Sequence, residues 1–216
     1  TGINSIGTYS AGGTENVISG TTDGGILSGY RNVITQSQQS SIGGGRRNTI
    51  GTQTLSSQWS FIGGGYENDI KGNYGYNFIG GGQGNKLGTT AFAIGLGWST
   101  IGGGVSNEIY GPYLTSSTIA GGSNNVITGT SSSFIGGGSG NMSYDTGKTA
   151  WTSIVGGREN KIDISSYGFI GAGIHNKLIN GAQASSIVGG SGNTVGPITT
   201  ATFSSIQGGM GNTVGG

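Results

Sequence analysis

Side chains able to carry out acid–base, nucleophilic or metal chemistry are few in this chain of 216 residues. It contains one histidine, His175, eight carboxylic acids and no cysteine. Glu67 and Asp69 lie on either side of Asn68, but a glycosidase needs two carboxylates about 5–10 Å apart across a cleft, and nothing in the sequence predicts a cleft. His175 is expected to be a solvated surface residue. The residues therefore predict no enzymatic activity, no cofactor and no metal. A carboxylate-based hydrolase or lyase formed where subunits meet is the remaining enzymatic alternative.

Glycine-rich runs offer a second kind of chemistry, because backbone amides in such runs can bind phosphate. A phosphate loop, however, has a lysine followed by serine or threonine and leads into a helix. The run at 80–84 lacks that lysine, no helical pattern follows it, and similar runs recur along the whole chain. A calcium-binding repeat would carry an aspartate in every turn, and here that position varies. The glycines are therefore interpreted as turns of a structural repeat.

Asparagine marks the repeat. Twelve asparagines recur at intervals of 16 to 22 residues, and a glycine stands three residues before each of them. The unit reads Ile-x-Gly-Gly-x-x-Asn-x-Ile, as at 42–50 and 154–162. A fixed motif joined by connectors of variable length is typical of a solenoid. The asparagines are predicted to form a ladder along one corner, each amide pairing with the rungs above and below: Asn16, Asn32, Asn48, Asn68, Asn85, Asn107, Asn125, Asn141, Asn160, Asn176, Asn193 and Asn212.

The elements that position these residues are predicted to be short strands. Helix is disfavoured, since glycine costs about 1 kcal/mol relative to alanine at each interior helix position. Around the first isoleucine of each unit the sequence alternates, as in Ser60-Phe61-Ile62, which puts Ile62 on one face of a strand and Phe61 on the other. A turn at Gly-x-x-Asn leads into a second short strand that ends in Ile, Val or Leu, and the two apolar positions of each rung are predicted to face inward and form two columns. The prediction is an all-β fold: a single repeat domain over residues 1–216, forming a parallel β-solenoid of about twelve rungs of 16–22 residues.

The charge pattern argues against two classes of partner. The formal net charge is +1, and no run of basic residues is longer than Arg46-Arg47, so neither nucleic acid nor an anionic membrane surface is an expected partner. No apolar stretch approaches the ~20 residues of a membrane span, and Thr1-Gly2-Ile3 does not resemble a signal peptide. Any secretion signal or anchor is expected outside this chain, which we expect to be part of a longer fibre.

The position before the first isoleucine of each unit points outward and is never charged. A flat, uncharged stripe is better explained as a buried contact than as a wet face, so the prediction is a homo-oligomer interface around a threefold axis. The alternative is a set of singly exposed apolar side chains, which are normal on protein surfaces. The interface candidates are Phe61, Phe78, Thr100, Thr118, Phe134 and Phe169.

Large aromatic residues are concentrated in the connectors, where the chain is free to carry a binding surface. Flat rings stack on the apolar faces of sugars or anchor protein interfaces, so these residues are candidates for glycan or protein recognition. The alternative is that they plug the corner of the solenoid or the gap between subunits. The binding candidates are Trp59, Tyr74, Tyr76, Trp98, Tyr113, Tyr144 and Trp151.

The repeat Ser-x-Ile-x-Gly-Gly-x-x-Asn-x-Ile resembles the head repeats of trimeric autotransporter adhesins, the YadA-like heads, and of related phage and virus fibre proteins. The segment 93–99, Ala-Ile-Gly-Leu-Gly-Trp-Ser, is most similar to the short unit of such heads. The resemblance implies a left-handed β-roll, a homotrimer and a role in attachment at the extracellular, cell or virion surface. Units here are longer and less even than in those heads, and no coiled-coil stalk follows.

The repeat, the exposed aromatic residues and the resemblance together suggest two functions from different classes. The first is a non-enzymatic fibre or adhesin head that binds a glycan or protein receptor through aromatic loops on a rigid solenoid. The second is a purely structural protein that forms filaments by end-to-end stacking or decorates a larger particle. An ice-binding solenoid would need a regular Thr-x-Thr ladder, and the run formed by Thr100 and Thr118 is too short for one.

Overall fold

The computed structural model describes residues 7–52, 57–71, 75–88, 97–111, 116–129, 132–144, 151–163, 165–179, 182–196 and 201–215. Within these ranges every regular element is a short strand, and 24 strands, β1 to β24, follow one another along the chain. No helix in this part of the chain is long and apolar enough to cross a membrane.

The strands form two parallel sheets of twelve strands each, and each rung of the solenoid gives one strand to each sheet. The first sheet contains β1 (Tyr9–Ser10), β3 (Gly25–Ile26), β5 (Ser41–Ile42), β7 (Phe61–Ile62), β9 (Phe78–Ile79), β11 (Thr100–Ile101), β13 (Thr118–Ile119), β15 (Ser133–Ile135), β17 (Thr152–Ile154), β19 (Phe169–Ile170), β21 (Ser186–Ile187) and β23 (Ser205–Ile206). The second sheet contains β2 (Val17–Ser19), β4 (Val33–Thr35), β6 (Thr49–Ile50), β8 (Asp69–Lys71), β10 (Lys86–Gly88), β12 (Glu108–Tyr110), β14 (Val126–Thr128), β16 (Met142–Tyr144), β18 (Lys161–Asp163), β20 (Lys177–Leu178), β22 (Thr194–Val195) and β24 (Thr213–Val214). The predicted parallel β-solenoid is confirmed.

The core lies between the sheets and consists of the two columns of aliphatic side chains that the repeat predicted. From Ile26 to Ile206 in the first sheet and from Ile34 to Val195 in the second, nearly every inward position holds a buried Ile, Leu or Val. At about 1.5–3 kcal/mol for each fully buried side chain, these columns are the main cohesive contribution. Ser143 is the exception: it is buried between Ile127 and Ile162 of the neighbouring strands.

Hydroxyl groups satisfy one another where Ser143 interrupts the aliphatic column. Its Oγ lies 2.6 Å from Oγ1 of Thr152, and Thr152 Oγ1 donates to Oγ of Ser133 at 2.8 Å. The rung therefore replaces one isoleucine contact by a buried cluster of three hydroxyls, which avoids an unpaired polar group in the core.

The glycine three residues before each asparagine cannot carry a side chain. All twelve of these glycines have φ between +84° and +110°. A Cβ on Gly104 would lie 2.1 Å from the carbonyl oxygen of Gly122, the equivalent glycine of the next rung. Positive φ and this close approach of backbone to backbone explain why the Gly-x-x-Asn spacing is kept while the connectors vary.

The asparagines form a continuous ladder at this corner, and Asn107 is representative. Its Nδ2 donates to the carbonyl oxygens of Gly103 in its own rung and Gly122 in the next, both at 3.0 Å. Its Oδ1 accepts from the backbone nitrogen of Asn125 at 3.0 Å and from Nδ2 of Asn125 at 3.1 Å. The ten asparagines from Asn32 to Asn193 are fully buried. Each side chain thus replaces water as the partner of backbone groups from two rungs.

A second polar ladder runs two residues before the inner isoleucine of the first sheet. The backbone nitrogen of Ser60 donates to Oγ of Ser40 at 3.1 Å, and that of Ser204 donates to Oγ of Ser185 at 3.1 Å. Sequence reasoning used Ser60 only to detect the alternation of the strand. The recurrence of Ser, Thr or Asn at this position was the signal that could have identified the ladder.

Candidate binding face

An exposed column of aromatic side chains runs along the corner where the chain enters the first sheet. Its members all stand three residues before an inner isoleucine, so the parallel register of the strands places them at the same position of successive rungs. All of them are exposed, with exposed fractions from 41 % for Trp59 to 85 % for Phe203. We call this set the aromatic column; it consists of Trp59, Tyr76, Trp98, Trp151, Tyr167 and Phe203.

The aromatic column contains two groups of rings in mutual contact. In the first group, Trp59 stacks on Tyr76 with ring centroids 5.1 Å apart and planes 20° apart, and Tyr76 contacts Trp98 at 6.3 Å and 52°. In the second group, Trp151 and Tyr167 lie 5.2 Å apart at 53°. Ser116 and Ser132 occupy the column position in the two rungs between the groups.

The backbone of several column members has a conformation or a hydrogen bond that the neighbouring rungs set. Trp59, Tyr167 and Phe203 have φ of 47°, 59° and 54°, a left-handed conformation that a large side chain adopts only where its surroundings impose it. The backbone nitrogen of Trp59 donates to the carbonyl oxygen of Gln38 at 2.9 Å, and that of Phe203 donates to Gln183 at 3.0 Å. The rings of Trp59 and Phe203 are therefore carried by a backbone that is bonded to the neighbouring rung.

The outward position before each inner isoleucine forms the second candidate surface, the phenylalanine stripe. Phe61, Phe78 and Phe134 are each 40 % exposed and Phe169 is 39 % exposed, and the rings of Phe61 and Phe78 stack 5.8 Å apart at 17°. Thr100 and Thr118, the other two interface candidates, are half-buried at the same position.

Each phenylalanine ring covers the glycine two residues after it in the chain, so the outer surface of the first sheet is flat at this point. A Cβ on Gly80 would lie 3.4 Å from Cε1 of Phe78, and a Cβ on Gly136 would lie 3.3 Å from Cε1 of Phe134. Where the residue before the inner isoleucine is small, the residue after it is larger, as with Val155 and Val188, which are about half exposed. In these rungs, either the residue before or the residue after the inner isoleucine therefore covers the outer surface of the first sheet.

A shallow notch interrupts the level face near its first rungs. It has a volume of about 220 Å³ and lies between Leu27 and Phe61, with Ser41 and Gly43 beneath it. The notch exists because this rung has small residues both before and after its inner isoleucine, Ile42.

The aromatic column and the phenylalanine stripe lie on the same side of the solenoid, where Asp23 is the one charged residue at a described column or stripe position. The two sets stand two residues apart in the chain, as in Trp59 and Phe61, and are therefore neighbours on each rung. The second sheet differs, because its outer face carries ion pairs such as Lys86 with Glu108 at 2.8 Å and Lys161 with Asp163 at 2.6 Å. The contrast in charge identifies the first sheet as the candidate binding face.

Three of the sequence-based binding candidates lie away from this face or cannot be placed. Tyr144 was expected in a connector, and that expectation was wrong: it ends β16 in the second sheet, where it pairs with Thr128 and Asp163. Tyr74 and Tyr113 lie outside the described residues. Conversely, sequence reasoning missed Tyr167 and Phe203 as members of the column, although counting back three residues from each inner isoleucine would have found them.

The titratable groups show no catalytic arrangement in the described part of the chain. Glu67 pairs with Arg47 at 3.1 Å on the exposed asparagine corner, and hydrogen bonds from Tyr66 and Arg47 lower the pKa of Glu67. Asp69 lies on the second sheet, where burial raises its pKa despite its ion pair with Lys71. The two carboxylates thus face different surroundings and different partners.

Other ionisable groups on the asparagine corner form surface pairs. His175 is exposed, and its Nδ1 lies 3.1 Å from a carboxylate oxygen of Glu159. The guanidinium of Arg46 lies 5.4 Å from the ring centre of Tyr30 and 5.7 Å from that of Tyr66, a contact that sequence reasoning missed. Among the residues described, no group of three His, Cys, Asp or Glu side chains could hold a metal ion.

No protein-family model matches the sequence, and no curated protein matches it either.

Proposed function

We propose that this chain is a rigid, non-enzymatic attachment module, the head of a fibre or adhesin, which binds a glycan or protein receptor at an extracellular, cell or virion surface. The observation that carries the proposal is the aromatic column: six large rings brought into one line by the register of the rungs and left exposed. Monomeric proteins seldom expose contiguous apolar surface unless it binds something.

The physical chemistry of the face supports recognition rather than catalysis. Rings fixed on a β-scaffold bury apolar area on binding while losing little conformational entropy, since their backbone is already ordered. Tyrosine and tryptophan combine a flat apolar surface with one polar group, as in Tyr76 and Trp98. Both properties suit attachment to a sugar surface or to a protein receptor.

Binding of the labelled chain to cell surfaces and to a glycan array tests the attachment function. The variant Trp98→Ala/Trp151→Ala removes one ring from each group, and Tyr110→Ala is a matched control that removes an exposed ring from the second sheet, outside the candidate binding face. We expect the double variant to lose binding and the control to keep it. Binding that is absent in the parent chain, or unchanged in the double variant, would contradict the proposal.

A second function, self-assembly, is favoured by the level, uncharged phenylalanine stripe. In this alternative the stripe is buried against copies of the same chain in a homotrimer, or the rungs of successive copies stack end to end into a filament. Such a partner would border the aromatic column, because the two sets are adjacent on one face.

Solution mass by light scattering over a range of protein concentrations tests self-assembly. The variant Phe61→Glu/Phe134→Glu places two charges on the stripe, and Val17→Glu/Met142→Glu places two charges on similarly exposed positions of the second sheet. A sharp trimer that only the phenylalanine variant breaks supports the interface. A monomer contradicts it, whereas masses that grow without limit indicate end-to-end stacking.

A further inference from the structure

The aromatic column is interrupted at its middle, and the two rings that border the interruption are the most exposed tryptophans of the chain. Trp98 is 65 % exposed and Trp151 is 55 % exposed, compared with 41 % for Trp59. Trp98 contacts Tyr76 in the preceding rung, and Trp151 contacts Tyr167 in the following rung. The two indoles therefore stand at the facing ends of the two ring groups.

The distance between these indoles follows from the rung spacing. Trp98 and Trp151 precede Thr100 and Ser153, which stand three rungs apart in the first sheet. Adjacent parallel strands are about 4.8 Å apart, so the two column positions are about 14 Å apart. A single small molecule the size of one sugar ring cannot contact both indoles, whereas an extended chain can.

Among the described residues between the indoles, no outward side chain of the first sheet is charged, and most of them carry a hydroxyl group. From rung to rung this surface presents Ser116, Thr118, Ser132 and Phe134. Alternation of a flat ring with hydroxyls matches a neutral sugar chain, whose residues have an apolar face and a polar rim. An acidic or basic polymer would find no opposite charge on this strip.

The size of the strip also favours a linear ligand over a folded protein. It is about 14 Å long, and the outward positions of one strand, from three before to one after the inner isoleucine, span about 13 Å. The resulting area of about 180 Å² is far below the ~800 Å² that each partner buries in a standard protein interface. A narrow polymer needs no larger surface.

From these observations, and resting on the attachment function proposed above, we infer that Trp98 and Trp151 are two anchors of one extended site for a linear, uncharged polysaccharide. Each indole alone binds weakly. A chain long enough to reach both makes the second contact intramolecular, and such linkage raises apparent affinity by about 10²-fold or more.

The test compares single sugars, disaccharides and long chains of the same composition, using neutral glucose, mannose, galactose and N-acetylglucosamine polymers and a set of acidic polysaccharides. Affinities are measured for the parent chain, for Trp98→Ala and Trp151→Ala, and for the control Tyr110→Ala on the second sheet. All three substitutions are at exposed positions, so intact β-sheet circular dichroism confirms that each variant is folded. We expect a neutral long chain to bind about 10²-fold more tightly than its disaccharide. Either indole substitution should abolish this advantage and leave the weak binding of the disaccharide within a few-fold, and Tyr110→Ala should change neither.

The outcomes separate this inference from the attachment function. Affinity that does not depend on chain length, a preference for acidic polysaccharides, or equal effects of Trp98→Ala and Tyr110→Ala would overturn the two-anchor site. Binding to cells or to a protein receptor that Trp98→Ala abolishes, without binding to any sugar chain, would overturn it while leaving the attachment function in place. Failure to bind cells, proteins and sugars alike would remove both.

Discussion

Substitution of Asn107 by alanine tests the asparagine ladder most directly, because the side chain lies in the middle of the solenoid and is fully buried. The change removes five hydrogen bonds: three donated by Nδ2 and two accepted by Oδ1. Two of the groups that bond to the Asn107 side chain keep another hydrogen bond after the substitution. The carbonyl oxygen of Gly122 still accepts from the backbone nitrogen of Val105 at 2.9 Å, and Oδ1 of Asn85 still accepts from the backbone nitrogen of residue 107 at 3.0 Å.

The backbone N–H of Asn125 is the group left without an acceptor. It donates only to Oδ1 of Asn107, and a buried donor without a partner costs about 1–3 kcal/mol. The other four bonds contribute about 0.5 kcal/mol each at the low end of the usual range. The free energy of unfolding should therefore fall by about 3–5 kcal/mol.

The matched control is Asn212→Ala, which makes the same substitution at the same motif position. Asn212 is exposed, and in the described residues its side chain makes one bond, from Nδ2 to the carbonyl oxygen of Gly208 at 2.9 Å. Its loss should cost less than about 1 kcal/mol.

Urea unfolding followed by circular dichroism measures both variants, and native-state hydrogen exchange measures the protection of the Asn125 amide. The exchange readout is needed because long repeat arrays can depart from two-state unfolding. Equal destabilisation of the two variants, or unchanged protection of the Asn125 amide in Asn107→Ala, would refute the ladder reasoning.

Two further predictions concern the turn and the second sheet. Gly104→Ala should lower the free energy of unfolding by about 2–5 kcal/mol, the sum of backbone strain and overpacking, because its Cβ would meet the carbonyl oxygen of Gly122. Gly103→Ala, whose Cβ has only ordinary contacts, should stay within about 0.5 kcal/mol of the parent in the same urea titration. Burial raises the pKa of Asp69 above its ordinary 3.8, against the opposing effect of Lys71, so the folded state binds this proton more tightly than the unfolded state. Parent stability should therefore fall relative to Asp69→Asn as the pH rises from about 3 to about 6; a difference that is constant or of opposite sign in thermal unfolding at the two pH values would contradict this.

Much of the scaffold could be predicted because its constraints are local and repeated. The glycine at a position such as Gly104 is required by a backbone contact that recurs in every rung, and the asparagine that follows it is required by the backbone groups it satisfies. The inner isoleucines alternate with outward residues within two or three positions. Such constraints leave a fixed spacing in the sequence, and the fixed spacing identified the strands, the turn and the ladder position.

The aromatic column could not be read from the spacing of the asparagines. The connectors differ in length. Counted from the preceding asparagine of the ladder, the distance is 11 residues for Trp59, 8 for Tyr76 and 13 for Trp98. Counted from the asparagines, these rings look like unrelated loop residues. Counted back from the next inner isoleucine, they share one position, and the contacts between their rings exist only because parallel strands stack in register.

The sequence by itself thus determined the parallel solenoid, its two apolar columns, the positive-φ glycine turn and the uncharged outward position of the first sheet, because each depends on neighbours a few residues away. Only the tertiary structure decided that the exposed rings form one column, that five of the six lie in two contacting groups, that the column borders the phenylalanine stripe, and that Tyr144 lies on the other sheet. Those relations join residues from different rungs. They depend on how connectors of unequal length return the chain to a common register, which is set by the stacking of whole rungs and not by any local pattern.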